Sequence, residues 1–218
     1  MAFPQIVGTR AADHPPTLTL VTARGERLGV FGGTFDPPHI GHLVAALYSF
    51  EAISLNRLLF VISNIPWQKL GQRAITPAHQ RLALVEAAIA GHVGFEASTV
   101  EMDRGGESYT AETLAALQRD LPESELFLIL GADAAAGILT WRKAEQLADL
   151  ATVVVVDRPG TPEVFLPGFR VEHVTMPAIG VSSTELRHRV ATGRSLDWLV
   201  PEGVQSAIAR QRLYREHP

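Results

Sequence analysis

The sequence contains no cysteine. That excludes disulfides, thiolate metal sites and a cysteine nucleophile. No apolar run approaches the roughly 18 residues that a bilayer-spanning helix needs. The opening stretch, MAFPQIVGTRAADHPP, lacks the sustained apolar core of a secretory signal and carries Pro, Arg and Asp early. Excess charge of either sign is also small. Nineteen Lys and Arg stand against 23 Asp and Glu, a net charge of −4, which argues against a broad nucleic-acid footprint. An anion recognised by this chain must be held by a few local groups. The expectation is a cytoplasmic enzyme with no nucleic-acid and no membrane partner.

What remains is a globular composition, 46% hydrophobic and 19% charged over 218 residues, enough for one medium domain. Residues 1–26 stand apart. Pro4, Pro15 and Pro16 break any helix there, and the segment reads as a flexible extension. Residues 27–218 then form the domain. Short apolar runs at 28–31, 58–62, 126–130, 153–156 and 171–176, with a further strand at 95–102, alternate with helical periodicity. The helices fall at about 41–54, from Thr76-Pro77 to Ile89, from Thr110 to Leu121, at 141–150, at 183–191 and at 201–213. Uniformly apolar strands separated by helices predict an α/β fold, a doubly wound and mainly parallel sheet in a single domain. Ligands of such sheets bind outside the carboxyl ends of the strands.

The loop after the first run is Gly32-Gly33-Thr34-Phe35-Asp36-Pro37-Pro38-His39-Ile40-Gly41-His42. Glycines there let backbone amides approach a phosphate. The loop is neither a G-x-G-x-x-G fingerprint nor a G-x-x-x-x-G-K-[ST] loop. His39 and His42, three apart, share one face of the first helical turn, where a helix start favours anions. A turn with two helix histidines explains less. Gly41 costs a helix about 1 kcal/mol relative to alanine, which points to close ligand approach. A histidine pair on a metal is the other reading, but it lacks an obvious third ligand.

Ser182-Ser183-Thr184-Glu185-Leu186-Arg187 fits a capping box from Ser182 to Glu185. Arg187 is not explained by it, because a cation in a first helical turn opposes the dipole. An anion at that helix end would offset it.

Together these stretches resemble the H-x-G-H and I-S-S-T-x-x-R signatures of the nucleotidylyltransferase superfamily, a Rossmann-like fold. The resemblance implies that His39, His42 and Arg187 are catalytic. It implies that Gly32, Gly33, Thr34, Phe35, Ser182 and Ser183 contact ATP. Gly131 and Asp133 resemble a G-x-D element on the adenosine side.

Further elements resemble the nicotinate mononucleotide adenylyltransferases within that superfamily, which transfer the adenylyl group of ATP to nicotinate mononucleotide and release pyrophosphate. Ser108-Tyr109-Thr110-Ala111-Glu112-Thr113-Leu114 resembles S-Y-T-x-x-T-L, so Tyr109 and Thr110 are implied to line the nicotinate pocket. Trp141 resembles the tryptophan that packs on the ring, and reads equally as a core aromatic. Arg158-Pro159-Gly160 resembles the R-P-G turn that faces the mononucleotide, and reads otherwise as a solvated turn. Lys69 aligns with a basic residue near the mononucleotide phosphate, although Trp67-Gln68 stands where Pro-His is common. The implied cofactor is Mg²⁺, carried in with ATP. Transfer to nicotinamide mononucleotide or phosphopantetheine, and nucleotide binding without catalysis, are the alternatives.

Overall fold

The computed structural model describes residues 25–66, 74–160 and 162–215. Lys69, Trp67 and Gln68 of the expected substrate loop, and most of the expected extension, lie outside the described residues. Six strands pair in the order β3-β2-β1-β4-β5-β6, and all of the pairings are parallel. They are β1 (Arg27–Gly33), β2 (Arg57–Ile62), β3 (Phe95–Ser98), β4 (Glu125–Gly131), β5 (Thr152–Asp157) and β6 (Val171–Thr175). The helices are α1 (Ile40–Ala52), α2 (Ala78–Ile89), α3 (Val100–Arg104), α4 (Thr110–Asp120), α5 (Ala132–Ala136), α6 (Ala144–Leu150), α7 (Ser183–Ala191) and α8 (Glu202–Arg210). The chain runs outward from β1 to β3, then returns to place β4 on the other side of β1. That reversal opens a crevice at the carboxyl ends of β1 and β4.

The apolar runs are continuous because both faces of the sheet are covered. Alternate strand residues serve opposite faces. Leu28, Val30, Leu59, Leu128 and Val155 pack with Leu114, Leu117 and Leu147 of α4 and α6. Phe31, Phe60, Ile129 and Val154 pack with Ala45, Ala46 and Val85 of α1 and α2. A third cluster joins Leu84 of α2 to Leu186 of α7 and to Val204 and Ile208 of α8. Glu26 belongs to this packed body. It is 8% exposed, and its carboxylate meets Arg57 at 3.4 Å and the Ser124 hydroxyl at 3.1 Å.

Several elements differ from the sequence reading: the last helix, expected to reach Leu213, ends at Arg210, and α5 was not expected. The strand expected over 95–102 stops at Ser98, and Val100–Arg104 is helical. Among the described residues it pairs with β2 alone, up to Val61–Ser98, although β2 itself runs to Ile62. The helix expected from Trp141 begins at Ala144. Lys143 sits in a left-handed conformation, φ +58°, which a running helix does not accommodate. β6 is also less apolar than the other strands, because as an edge strand it exposes Glu172, His173 and Thr175.

Gly94 leads into β3 with φ +93°, and a Cβ there would lie 2.8 Å from the Phe50 ring. Both the backbone and the α1 contact therefore demand glycine. Gly94→Ala is expected to lower the thermal midpoint by roughly 5–10 °C, from a loss of about 2–3 kcal/mol. Calorimetry checks this.

Candidate active site

Two cavities open at the carboxyl edge of the sheet. The larger, about 810 Å³, is lined by residues from the ends of β1, β4 and β5 and from the starts of α1 and α7. The smaller, about 290 Å³, lies towards β2 and α4. They share Gly32, Gly33, Thr34 and Ala134 as a common wall. The larger cavity gathers His39, His42, Arg187, Gly32, Gly33, Thr34, Phe35, Gly131, Asp133, Ser182, Ser183 and Arg158. The smaller gathers Tyr109, Thr110 and Trp141. Arg158, expected on the mononucleotide side, thus lines the larger cavity.

The glycine pair has divided roles. No heavy atom lies within 4 Å of where a Gly32 Cβ would stand, whereas a Gly33 Cβ would meet the Phe35 ring at 2.7 Å. Gly32 therefore keeps backbone accessible to the cavity, and Gly33 admits the buried Phe35 beneath it. His39 is the N-cap of α1. Its backbone N–H donates to His42 Nδ1 at 3.2 Å, and the two rings lie 3.8 Å apart. Because His42 Nδ1 accepts, its proton resides on Nε2, which becomes a donor for a ligand oxygen. Gly41 has a second reason beyond ligand approach: a Cβ would press the His39 ring at 3.1 Å. Burial lowers the His39 pKa to about 4, so its ring is neutral near pH 7.

The start of α7 is docked on the same loop. Ser182 Oγ accepts from the Glu185 amide at 3.2 Å, the expected cap. Ser183 donates to Pro37 O at 2.9 Å. Arg187 reaches across, giving Nη1 to Asp36 O at 2.8 Å and Nη2 to Thr184 Oγ1 at 3.0 Å. The guanidinium is thereby held at a helix start beside the paired imidazoles, the arrangement of donors that oxyanions select.

The smaller cavity is built by stitching the loop after β2 to the loop before α4. Asn64 N donates to Ser108 Oγ at 2.8 Å, Asn64 Nδ2 to Gly106 O at 2.9 Å, and Ser108 N to Ile65 O at 3.1 Å. Thr110 is the first residue of α4, and Tyr109 rather than Thr110 holds the cap position. Trp141 both lines the cavity and packs on the sheet's core, so its two readings are compatible. Sequence reasoning missed Arg142, whose guanidinium lies 4.5 Å over the Tyr109 ring; its position beside Trp141 was the available signal. It also missed Glu101, which fell inside the expected strand. Thr113 donates to Glu101 Oε1 at 2.6 Å, and Glu101 Oε2 has no hydrogen-bond partner among the described residues.

Arg81 is the third residue missed, because nothing in the local pattern of α2 marks it. It is 1% exposed. Its guanidinium donates to Thr34 O at 2.8 Å, Ser63 O at 2.6 Å, Asn64 O at 3.1 Å and Thr76 O at 2.7 Å. It ties the loop after β1, which lines both cavities, to the loop after β2, which lines the smaller one.

An ammonium cannot reproduce that fork. Arg81→Lys is expected to cost about 3–5 kcal/mol, the range for breaking a buried charged network, read as a lower urea midpoint. His39 gives a pH signature. The unfolded ring charges near 6.5 but the folded one near 4, so the unfolded chain binds more protons between those values. Stability contributed there is present above pH 6.5 and is lost as pH falls to 4, by up to about 3 kcal/mol. His39→Gln is expected to lose correspondingly less stability between pH 7 and 4.5 in urea melts.

Comparison with known proteins bears on the family and the fold. A cytidylyltransferase-like family profile matches residues 30–189. A protein of Corynebacterium kroppenstedtii named "probable nicotinate-nucleotide adenylyltransferase" is 45% identical over 192 residues, 86% of this chain and 90% of the relative. One of the same name from Thermus thermophilus is 44% identical over 191 residues, 87% of this chain and all of the relative. In fold, the chain is similar to the Plasmodium falciparum nicotinic acid mononucleotide adenylyltransferase complexed with NaAD. That match has a TM-score of 0.68 at 16% identity, covering 87% of this chain and 97% of that one. The same enzyme complexed with APC gives 0.69 at 15% identity, with the same coverage. The chain belongs to the cytidylyltransferase-like family, on the branch of the nicotinate-nucleotide adenylyltransferases.

Proposed function

We propose that this chain transfers the adenylyl group of ATP to nicotinate mononucleotide, giving nicotinic acid adenine dinucleotide and pyrophosphate in a cytoplasmic step of NAD synthesis. The observation that carries the reading is the shared wall at residues 32–34. ATP in the larger cavity and a mononucleotide in the smaller one would meet there. The names of the relatives support the choice of substrate.

The mononucleotide 5′-phosphate attacks the α-phosphorus of ATP. A P–O bond forms to the incoming phosphate oxygen, and the bond to the bridging oxygen of pyrophosphate breaks. The nucleophile is already anionic near pH 7, so the step needs neither a general base nor a covalent intermediate. Catalysis is positioning together with stabilisation of charge on the transferring group. His42 Nε2–H, neutral His39 and the backbone at Gly32 face the α- and β-phosphates. Thr34 and Phe35 shape the loop around them. Arg187 with Ser182 and Ser183 at the start of α7 faces the β- and γ-phosphates. Gly131 and Asp133 receive the adenosine side, where the carboxylate can accept from a ribose hydroxyl.

On the other side Tyr109, Thr110 and Trp141 enclose the pyridine ring. Arg158 lines the larger cavity, from which it would reach the mononucleotide only at the shared wall, and the role of Lys69 rests on the resemblance alone. Among the described residues no group of three His, Asp or Glu side chains is placed to hold a metal ion. Mg²⁺ in this reading arrives on the ATP phosphates, which with waters supply its ligands. It would neutralise charge on the leaving pyrophosphate. No helix among the described residues is long and apolar enough to cross a membrane.

Pyrophosphate release from ATP is expected with nicotinate mononucleotide. It should be weaker with the nicotinamide form, by the roughly 10–100-fold that one contact to a charged group is worth. A chain that binds ATP and releases nothing with either would overturn the reading. His42→Ala is expected to lower kcat about 10²–10³-fold with little change in mononucleotide KM.

A further inference from the structure

Asp36 lies within the first signature stretch and is 1% exposed. Its main-chain carbonyl receives Arg187 at 2.8 Å, and the Thr76 amide points at Oδ2 from 3.5 Å. Its Oδ1 receives the phenol of Tyr214 at 2.7 Å, from 178 residues away in sequence. Tyr214 follows α8 and lines neither cavity. The turn that delivers it is unusual. Arg212 and Tyr214 both hold left-handed backbone, φ +53° and +61°, a conformation that L residues seldom keep without compensation. Leu213 between them is buried against the cluster of Leu186, Val204 and Ile208, which fixes the turn on α7 and α8. Burial first, then the neighbouring Asp36, pushes the Tyr214 hydroxyl well above its ordinary pKa. The phenol therefore stays neutral and remains a donor.

We propose that Tyr214 is a positioning residue for the ATP-phosphate cavity. It holds the Asp36 side chain so that the Asp36 carbonyl keeps Arg187 aimed at the phosphates. It touches no substrate and acts through Asp36 and Arg187. A purely structural hydrogen bond would affect both cavities alike. This one ends on a residue that lines the larger cavity only, so its loss should be felt by ATP and not by the mononucleotide. The proposal rests on the adenylyl-transfer reading for the identity of the phosphates.

The test is titration calorimetry on Tyr214→Phe, with ATP alone and with nicotinate mononucleotide alone, beside a thermal melt. ATP affinity is expected to fall about tenfold, the loss of one hydrogen bond to a charged acceptor. Mononucleotide affinity should stay within about twofold, and the midpoint should shift by a few degrees. Unchanged ATP affinity, or equal weakening of both ligands, overturns the proposal. Asp36→Ala removes the acceptor oxygen and supplies the second arm. If Tyr214 works through Asp36, the double variant binds ATP no more weakly than Asp36→Ala alone; additive losses overturn it. The ATP titration needs no turnover. A parent chain that binds ATP but does not adenylate the mononucleotide defeats the proposed function and leaves this inference to be judged on its own result. A parent that binds no ATP defeats both.

Discussion

The two cavities have a fixed relation because one buried guanidinium joins their walls. Arg81 collects carbonyls from the loops after β1 and β2 and from the residues leading into α2. Loop carbonyls near a cleft are otherwise free to reorient towards water. Here four of them are committed to one planar donor set, and the charge is offset by dipoles aimed at it. An in-line phosphoryl transfer depends on where two phosphates meet, and small displacements are costly. The rigidity supplied by Arg81 is therefore a condition of the chemistry, although the side chain lines neither cavity.

The same logic explains why the signature loop is rich in residues that do not face ligand. Phe35 needs Gly33 to give way, and His39 needs Gly41 to do so. His42 pairs with the amide that His39 leaves unpaired as the N-cap. The His42 imidazole is thus a helix-capping group as well as a proposed phosphate donor. Capping fixes its tautomer before any ligand arrives, so one side chain secures both the start of α1 and the direction in which Nε2–H is offered.

How far the sequence could be read follows from these contacts. The sheet was legible because its apolar runs report burial on both faces, and the residues lining the larger cavity were legible because most of them fall in two compact stretches. The end of β3 was not, since the chain turns helical at Val100 although β2 runs on to Ile62. Glu101 was hidden by that same boundary. Arg81 and Tyr214 were invisible for a different reason. Each looks like an ordinary helix or turn residue, and its importance lies in partners that local pattern does not name. Trp141 was left between two readings because it satisfies both: one face packs on the core and another lines the smaller cavity. The functional weight of Lys69 rests on resemblance, and Lys69 lies outside the described residues.

The links from Pro37 and Asp36 to Ser183, Arg187 and Tyr214 span 146 to 178 residues. The loop comes early in the chain, yet the groups that hold its Asp36-Pro37 segment come late. A partly folded species with only the first half of the sheet would carry the histidines but not the groups that hold Asp36 and Pro37 beside them. Nucleotide affinity should therefore be acquired in the last stage of folding rather than gradually. By linkage, ATP should protect the whole domain from opening, not only its own neighbourhood. A nucleotide site closed by contacts of such high sequence separation also makes ligand occupancy a check on the completeness of the fold.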